Sequence, residues 1–352
     1  SNNVKKINAC INNLSNALKR QFSGYQYSKL LYEVSYYKLL PFYWTKIFYV
    51  ISLFACLILW SGIKKKLFYF LVILCAAAGY IFHSYGIVLR MLIRGRPPVT
   101  NLYETILFTG WTTISLSFII EVYLKNKAKA ISLFSGTLIG ILMLVISKQY
   151  SYRDDNMGVL KAVLNSNFWL ASHVTTIIIG YAGCLMAGVY AHFSLVYYIF
   201  QDKFTNNHLL YINRILYGII CFGLIFVVIG TILGGYWADQ SWGRFWGWDP
   251  KENGALILIL WLCIVIHAYK ARYIRNLGLA LSAIFTNIVV ILAWWGVNLL
   301  NVGLHSYGRV NSNIEYLIYF IIIELIFIIG GFTLKINQID YNRQTVNFKL
   351  NY

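Results

Sequence analysis

The sequence predicts an all-α, polytopic integral membrane bundle of about nine transmembrane helices, and two observations predict it. The first is composition: 59% of the 352 residues are hydrophobic, 17% aromatic and 12% charged, more apolar surface than a water-soluble core absorbs. The second is patterning, because apolar runs long enough to span recur along the chain, each near or above the roughly 17–20 residues a bilayer helix needs. In order, the run 42–60 stops before Lys64, Lys65 and Lys66, and the run 67–89 stops at Arg90. The run 103–124 ends at Lys125, and the run 130–147 opens into the segment 148–167. The run 168–200 ends before Lys203, and the run 215–236 leads into a tryptophan-rich loop, 236–252. The run 253–271 ends among Lys270, Arg272 and Arg275, the run 277–299 leads into 300–313, and the run 314–334 ends at Lys335.

Orientation follows from the basic residues. Every second loop carries Lys or Arg, which places those loops and the C-terminus inside and the N-terminus outside. The tryptophan-rich loop, 148–167 and 300–313 then share the outer face. Arg90, Arg94 and Arg96 depart from the pattern by falling on the outer side before Pro97-Pro98; two readings are open, contact with an anionic ligand and snorkelling to lipid phosphate. The net charge of +18 is explained by this topology and the anionic inner leaflet, so no nucleic-acid partner is expected. Six cysteines lie mostly alone inside apolar runs, with no Cys-x-x-Cys, and read as small core residues.

Chemistry concentrates in Trp237-Ala-Asp-Gln-Ser-Trp-Gly-Arg-Phe-Trp-Gly-Trp-Asp249-Pro-Lys-Glu. Trp237, Trp242, Trp246 and Trp248 offer flat apolar faces with an N–H, which suits a broad planar ligand such as a porphyrin; an interfacial aromatic belt is the competing reading. Asp249 before Pro250 reads as a helix N-cap. Glu104 sits at an outer helix start, where the N-terminal dipole favours it. A haem iron needs axial ligands, and imidazole is the usual one in proteins that hold rather than activate. Of six histidines, His173 lies five residues into the fifth run, about 8 Å from its outer end at ~1.5 Å per residue. His305 lies in the outer segment 300–313. These two bracket the tryptophan loop at one face and define a candidate bis-histidine site. His267 lies about 20 Å deeper, toward the inner leaflet, where a titratable ring is a functional candidate. His83 sits higher in its own run and is a candidate for hydrogen bonding, for lining the path or for direct ligation. His192 is a weaker candidate near the inner end of the fifth run, and His208 falls in an inner loop.

The string Trp-Gly-x-x-Trp-x-Trp-Asp-Pro-Lys-Glu before an apolar helix resembles the "WWD" signature of the haem-handling cytochrome c biogenesis family that includes CcsA/ResC, CcmC and CcmF. Arg94-Gly-Arg-Pro-Pro-Val-Thr-Asn-Leu-Tyr-Glu104 is also similar to a CcsA stretch. The resemblance implies a system II cytochrome c haem lyase with haem b as substrate and cofactor. It implies His173 and His305 as external iron ligands, His267 as ligand to an intramembrane haem, and Asp249 closing the signature. The expected partners are apocytochrome c, the lipid bilayer and a ResB/CcsB-like half. Leu31-Tyr-Glu-Val-Ser-Tyr-Tyr-Lys38 looks like the junction of fused CcsBA proteins. The expected division is therefore 1–40 as an external tail of an upstream ResB-like half, 41–335 as the CcsA-like transmembrane domain, and 336–352 as a cytoplasmic tail. The expected location is the bacterial cytoplasmic membrane with the active site on its external face. A CcmC-like haem-presenting or haem-exporting protein without ligation activity is the alternative, and a quinol-linked haem redox protein a further one.

Overall fold

The computed structural model describes residues 2–22, 24–124, 130–154, 166–200, 206–300 and 314–350. His305 lies outside the described residues. Among those described, nine helices are long and apolar enough to cross a membrane, and there is no strand. In lipid this is the expected solution, because a helix satisfies its backbone hydrogen bonds internally. The protein is a polytopic helical membrane protein.

The helices are α1 (Asn2–Gln21), α2 (Gly24–Leu39), α3 (Pro41–Ser61), α4 (Lys65–Arg94), α5 (Leu102–Leu124), α6 (Ile131–Asp154) and a short α7 (Asn167–Trp169). A π-helical turn, Leu170–Val174, joins α7 to α8 (Thr175–Ile199). Then follow α9 (Asn206–Trp242), α10 (Pro250–Lys270) and α11 (Asn276–Ile291), a second π-turn at Leu292–Gly296, α12 (Val297–Leu299) and α13 (Ile314–Leu350). Sequential helices pair as α3/α4, α5/α6 and α8/α9, and α8 is central, touching α5, α6, α9, α11 and α13.

The α8/α9 pair approaches closely because glycine permits it. A Cβ on Gly230 would sit 2.8 Å from the Cα of Ile177, a backbone clash that no rotamer relieves. Small residues at such crossings let helices gain van der Waals contact where no hydrophobic drive between them exists.

One sequence reading changes. The sixth spanning helix does not stop at residue 236. Nothing between Tyr236 and Trp242 breaks a helix, and α9 runs on to Gly243, whose φ of 68° and N–H to the Asp239 carbonyl (2.8 Å) end it. Trp237 and Trp242 are therefore helical, and the loop proper is 243–249. Within the N-terminal segment Asn2–Gln21 and Gly24–Leu39 are helices, and the second packs on α4. There the buried Tyr36 accepts a hydrogen bond from Arg90 Nη1 at 3.4 Å.

The outer arginines also have a definite role. Arg90 and Arg94 both donate to Glu104 Oε1, at 3.1 and 2.7 Å, and all three side chains are nearly inaccessible. Thr100 donates through its N–H (3.0 Å) and its hydroxyl to Glu104 Oε2. The Arg90 guanidinium also lies 4.8 Å from the ring centre of Tyr103. Both guanidiniums share this one carboxylate, and the cluster ties α4 to the start of α5. Beyond the dipole, Glu104 is the anion of this cluster.

Glu104→Ala would leave two buried guanidiniums without their carboxylate. The expected loss is about 3–5 kcal/mol, read as a lower midpoint in unfolding from mixed micelles. A midpoint matching the parent protein would remove the cluster as a structural tie.

Candidate functional site: an aromatic cleft at the π-turns

His173 lies on the first π-turn, and Trp294 and Trp295 lie on the second. π-turns widen a helix by one residue and recur at functional sites. Here the two line one cleft of about 90 Å3, whose wall includes His173, Tyr181, Trp246, Lys251, Glu252 and Trp294.

His173 is fixed by its surroundings. Its Nδ1 is 2.8 Å from the Gly230 carbonyl, and a carbonyl only accepts. Nδ1 therefore carries a proton, and Nε2 is the nitrogen through which the ring would meet a metal. Its ring meets Trp237 edge to face, with centroids 5.8 Å apart. The seat exists because Gly234 has no side chain: a Cβ there would lie 2.6 Å from His173 Cε1. The adjacent Gly235 plays the same part for Phe245, whose ring would meet a Cβ at 2.5 Å. Trp169 Nε1 donates to Gln240 Oε1 at 2.9 Å and pins the start of this helix to the end of α9.

The tryptophans divide. Trp237 is 7% exposed and belongs to the core, whereas Trp248 is 69% exposed. Trp246 lines the cleft and meets Trp248 edge to face at 6.0 Å. Trp242 lies 5.8 Å from the Arg244 guanidinium. Trp237 packs on His173 and Trp246 lines the cleft.

The loop is held by a clasp. Glu252 Oε2 accepts from the N–H groups of Gly247 (2.7 Å) and Asp249 (3.1 Å), and Oε1 accepts from Arg244 Nη1 (3.2 Å). Asp249 Oδ1 accepts from the Lys251 N–H at 3.0 Å, which completes a capping box at Pro250. The cap expected of Asp249 is thus present. Asn253 Nδ2 donates to the Trp248 carbonyl at 3.0 Å. These bonds hold Trp248 at φ 56°, a left-handed conformation that costs a bulky residue about 1–3 kcal/mol.

The other histidines are not brought here. His83 is fully buried, with Nδ1 3.2 Å from Tyr49 Oη and Nε2 3.1 Å from the Leu107 carbonyl. Both ring nitrogens are engaged, and His83 is a polar tie between α3, α4 and α5. His267 is exposed on α10, and its Nδ1 lies 2.7 Å from the Cys263 carbonyl one turn back. It is directed away from the bundle interior and does not meet His83: α10 packs on α9 and α11, and α4 on α2, α3, α5 and α6. Residues that sequence reasoning missed include Gly230, Gly234 and Trp294; the Gly234-Gly235 pair beside Trp237 was the available signal.

Fold and cleft together define a multi-pass helical membrane protein with an aromatic, histidine-bearing site at one end of the bundle. The model of the cytochrome C assembly protein family matches residues 99–305, and the chain belongs to that family. The cytochrome c biogenesis protein CcsA of Coffea arabica is 31% identical over 265 residues, covering 63% of this chain and 80% of the relative. CcsA of Chlamydomonas reinhardtii is 31% identical over 240 residues, 64% of this chain and 66% of the relative. Protein NrfI of Wolinella succinogenes is 29% identical over 237 residues, 65% of this chain but 25% of NrfI. Membership places the protein in cytochrome c biogenesis, and with it in the handling of haem.

Replacing Glu252 with Ala is expected to speed amide exchange at Gly247 and Asp249 about tenfold or more, as hydrogen bonds to a charged acceptor contribute roughly 1.5–3 kcal/mol. Hydrogen–deuterium exchange by mass spectrometry reads this, with the α8 core as internal control.

Proposed function

We propose that this chain is the haem-handling part of a cytochrome c synthase. It moves haem b, its substrate, to the external face of a bacterial cytoplasmic membrane and presents it there to apocytochrome c. The observation that carries the reading is the seat of His173: an imidazole whose Nδ1–H donates to a backbone carbonyl, at an aromatic cleft walled by Trp246 and Trp294. A carbonyl behind Nδ1 is the arrangement that orients a metal-binding imidazole and raises its basicity. His305 is the proposed second ligand, which fits its place in the outer segment after the second π-turn.

A cleft of about 90 Å3 is far smaller than the roughly 300–1,000 Å3 of ligand pockets. The haem therefore lies across the cleft mouth, against the 243–249 loop, with an edge turned outward. That exposure serves the reaction: each thiol of an incoming Cys-x-x-Cys-His adds across a haem vinyl, sulfur bonding one carbon while a proton goes to the other. The chain needs no nucleophile of its own, and its contribution is position. The product leaves when the arriving histidine replaces one of the two protein imidazoles.

His267 is proposed to ligate a second haem on the inner side. Its outward exposure on α10 supports an opposing ligand from a separate ResB-like half.

His173→Ala and His305→Ala are each expected to lose most of the outer haem, with partial recovery in added imidazole, read by the reduced absorption spectrum of purified protein. Replacing Trp246 and Trp248 together is expected to cut haem retention at least several-fold while the protein stays membrane-inserted. Co-expression with an apocytochrome tests the synthase reading itself. Covalent holocytochrome supports it, whereas bound haem without thioether product would leave a presenting protein.

A further inference from the structure

Helix α1 is not among the nine spanning helices, and it meets the rest of the chain at α2. There the Ser15 and Tyr27 hydroxyls share a hydrogen bond of 2.9 Å, and Lys19 Nζ lies 5.5 Å from the Tyr27 ring centre. Through Tyr36 and Arg90, α2 is fastened near the C-terminal end of α4. That end adjoins the cleft, since the Gly95 carbonyl after α4 accepts from Asn167 Nδ2 at 3.4 Å, at the start of the helix that carries His173. Thus α1 is joined to the bundle at the end that bears the cleft.

This helix has two unlike faces. Val4, Ile7, Ile11 and Leu14 are each 57–61% exposed, Cys10 and Ala17 are exposed and Leu18 is half-buried. At ~100° per residue these side chains fill one sector about 140° wide, and between Val4 and Leu18 no polar residue falls inside it. The remaining sector carries Asn8, Asn12, Asn13 and Asn16. Lys5 and Lys6 stand at one end of the helix and Lys19 and Arg20 at the other, α1 holds no acid, and the first carboxylate of the chain is Glu33.

The pattern selects what covers the apolar face. A partner helix is met by a narrow seam whose flanking positions carry charge, whereas the flanks here are Asn8, Cys10, Ser15 and Ala17. A broad apolar sector backed by cations is the form of a helix that lies in a membrane interface. Cations at both ends, about 30 Å apart over 20 residues, hold such a helix flat, because inserting either end would carry charge into hydrocarbon. Long lysine and arginine stems reach from the flanks to the phosphates, and four cations without an acid favour anionic headgroups.

We propose that α1 is an interfacial helix that binds an anionic phospholipid leaflet, with its apolar face on the acyl chains and Lys5, Lys6, Lys19 and Arg20 at the phosphates. Through α2 this contact fastens the cleft end of α4 to the membrane surface.

The test compares the whole chain in nanodiscs of phosphatidylcholine alone and of phosphatidylcholine mixed with phosphatidylglycerol. Hydrogen–deuterium exchange by mass spectrometry reads α1, with α8 as internal control. Amides of residues 4–18 are expected to exchange tenfold or more slowly in the anionic discs, and the difference is expected to vanish when Lys5, Lys6, Lys19 and Arg20 are all replaced by Glu. A nitroxide on Cys10, with Cys75, Cys221 and Cys263 replaced by Ser, is expected to be more accessible to oxygen than to a water-soluble nickel chelate in the anionic discs. Equal exchange in the two discs would overturn the proposal, as would a nitroxide that favours the chelate. Protection that grows with the number of chains per disc would assign the face to a second copy and overturn it as well. If the charge-reversed chain fails to fold, salt decides on the parent protein: at about 1 M, where screening is nearly complete beyond ~3 Å, the difference between discs is expected to shrink several-fold, and an unchanged difference overturns the role of the four cations. No haem enters either readout, so the result stands apart from the synthase reading.

Discussion

The approach of α8 to α9 sets the rest of the architecture. Where Gly230 meets Ile177, no side chain can intervene, so the two backbones lie close. The carbonyl of Gly230 becomes reachable by the His173 ring, and four residues on, Gly234 leaves the space that ring occupies. In lipid there is little hydrophobic drive between helices, and packing of this kind is the principal force that fixes their register. The same contact that holds the bundle together thus decides the orientation of the proposed ligand.

The buried polar groups follow a consistent rule. Glu104 answers Arg90 and Arg94, Glu121 accepts from Tyr69 (3.0 Å) and Ser132 (2.7 Å), and His83 is spanned by Tyr49 and a carbonyl. Each polar group sits where helices from different parts of the chain meet, so satisfying it also specifies which helices are neighbours.

Two departures from regular helix carry the site. Each π-turn rotates the residues after it relative to those before, which turns His173 and Trp294 onto one cleft. The loop between α9 and α10 adds Trp246 and is braced by Glu252, so the aromatic wall is rigid and the strained Trp248 stays outward. Catalysis by positioning requires such rigidity in the holder.

The number and order of the spanning helices were legible in the sequence, because a bilayer demands uninterrupted apolar runs of fixed length and the chain supplies nine. The Asp249 cap and the aromatic character of the loop were legible too, since a cap and a tryptophan cluster are local in sequence. What the sequence alone did not disclose is what depends on helices meeting. The Trp-rich segment reads as one loop, yet half of it is helix, because a helix without a breaker continues until a residue such as Gly243 can take a positive φ. Nothing in the sequence pairs His83 with Tyr49 and Leu107, far away in the chain, which engage both its nitrogens. Arg90 and Arg94 read as outer cations until Glu104 is seen between them. Hydropathy records which residues avoid water; it carries no record of which polar atom finds which partner, and only the tertiary structure decides that.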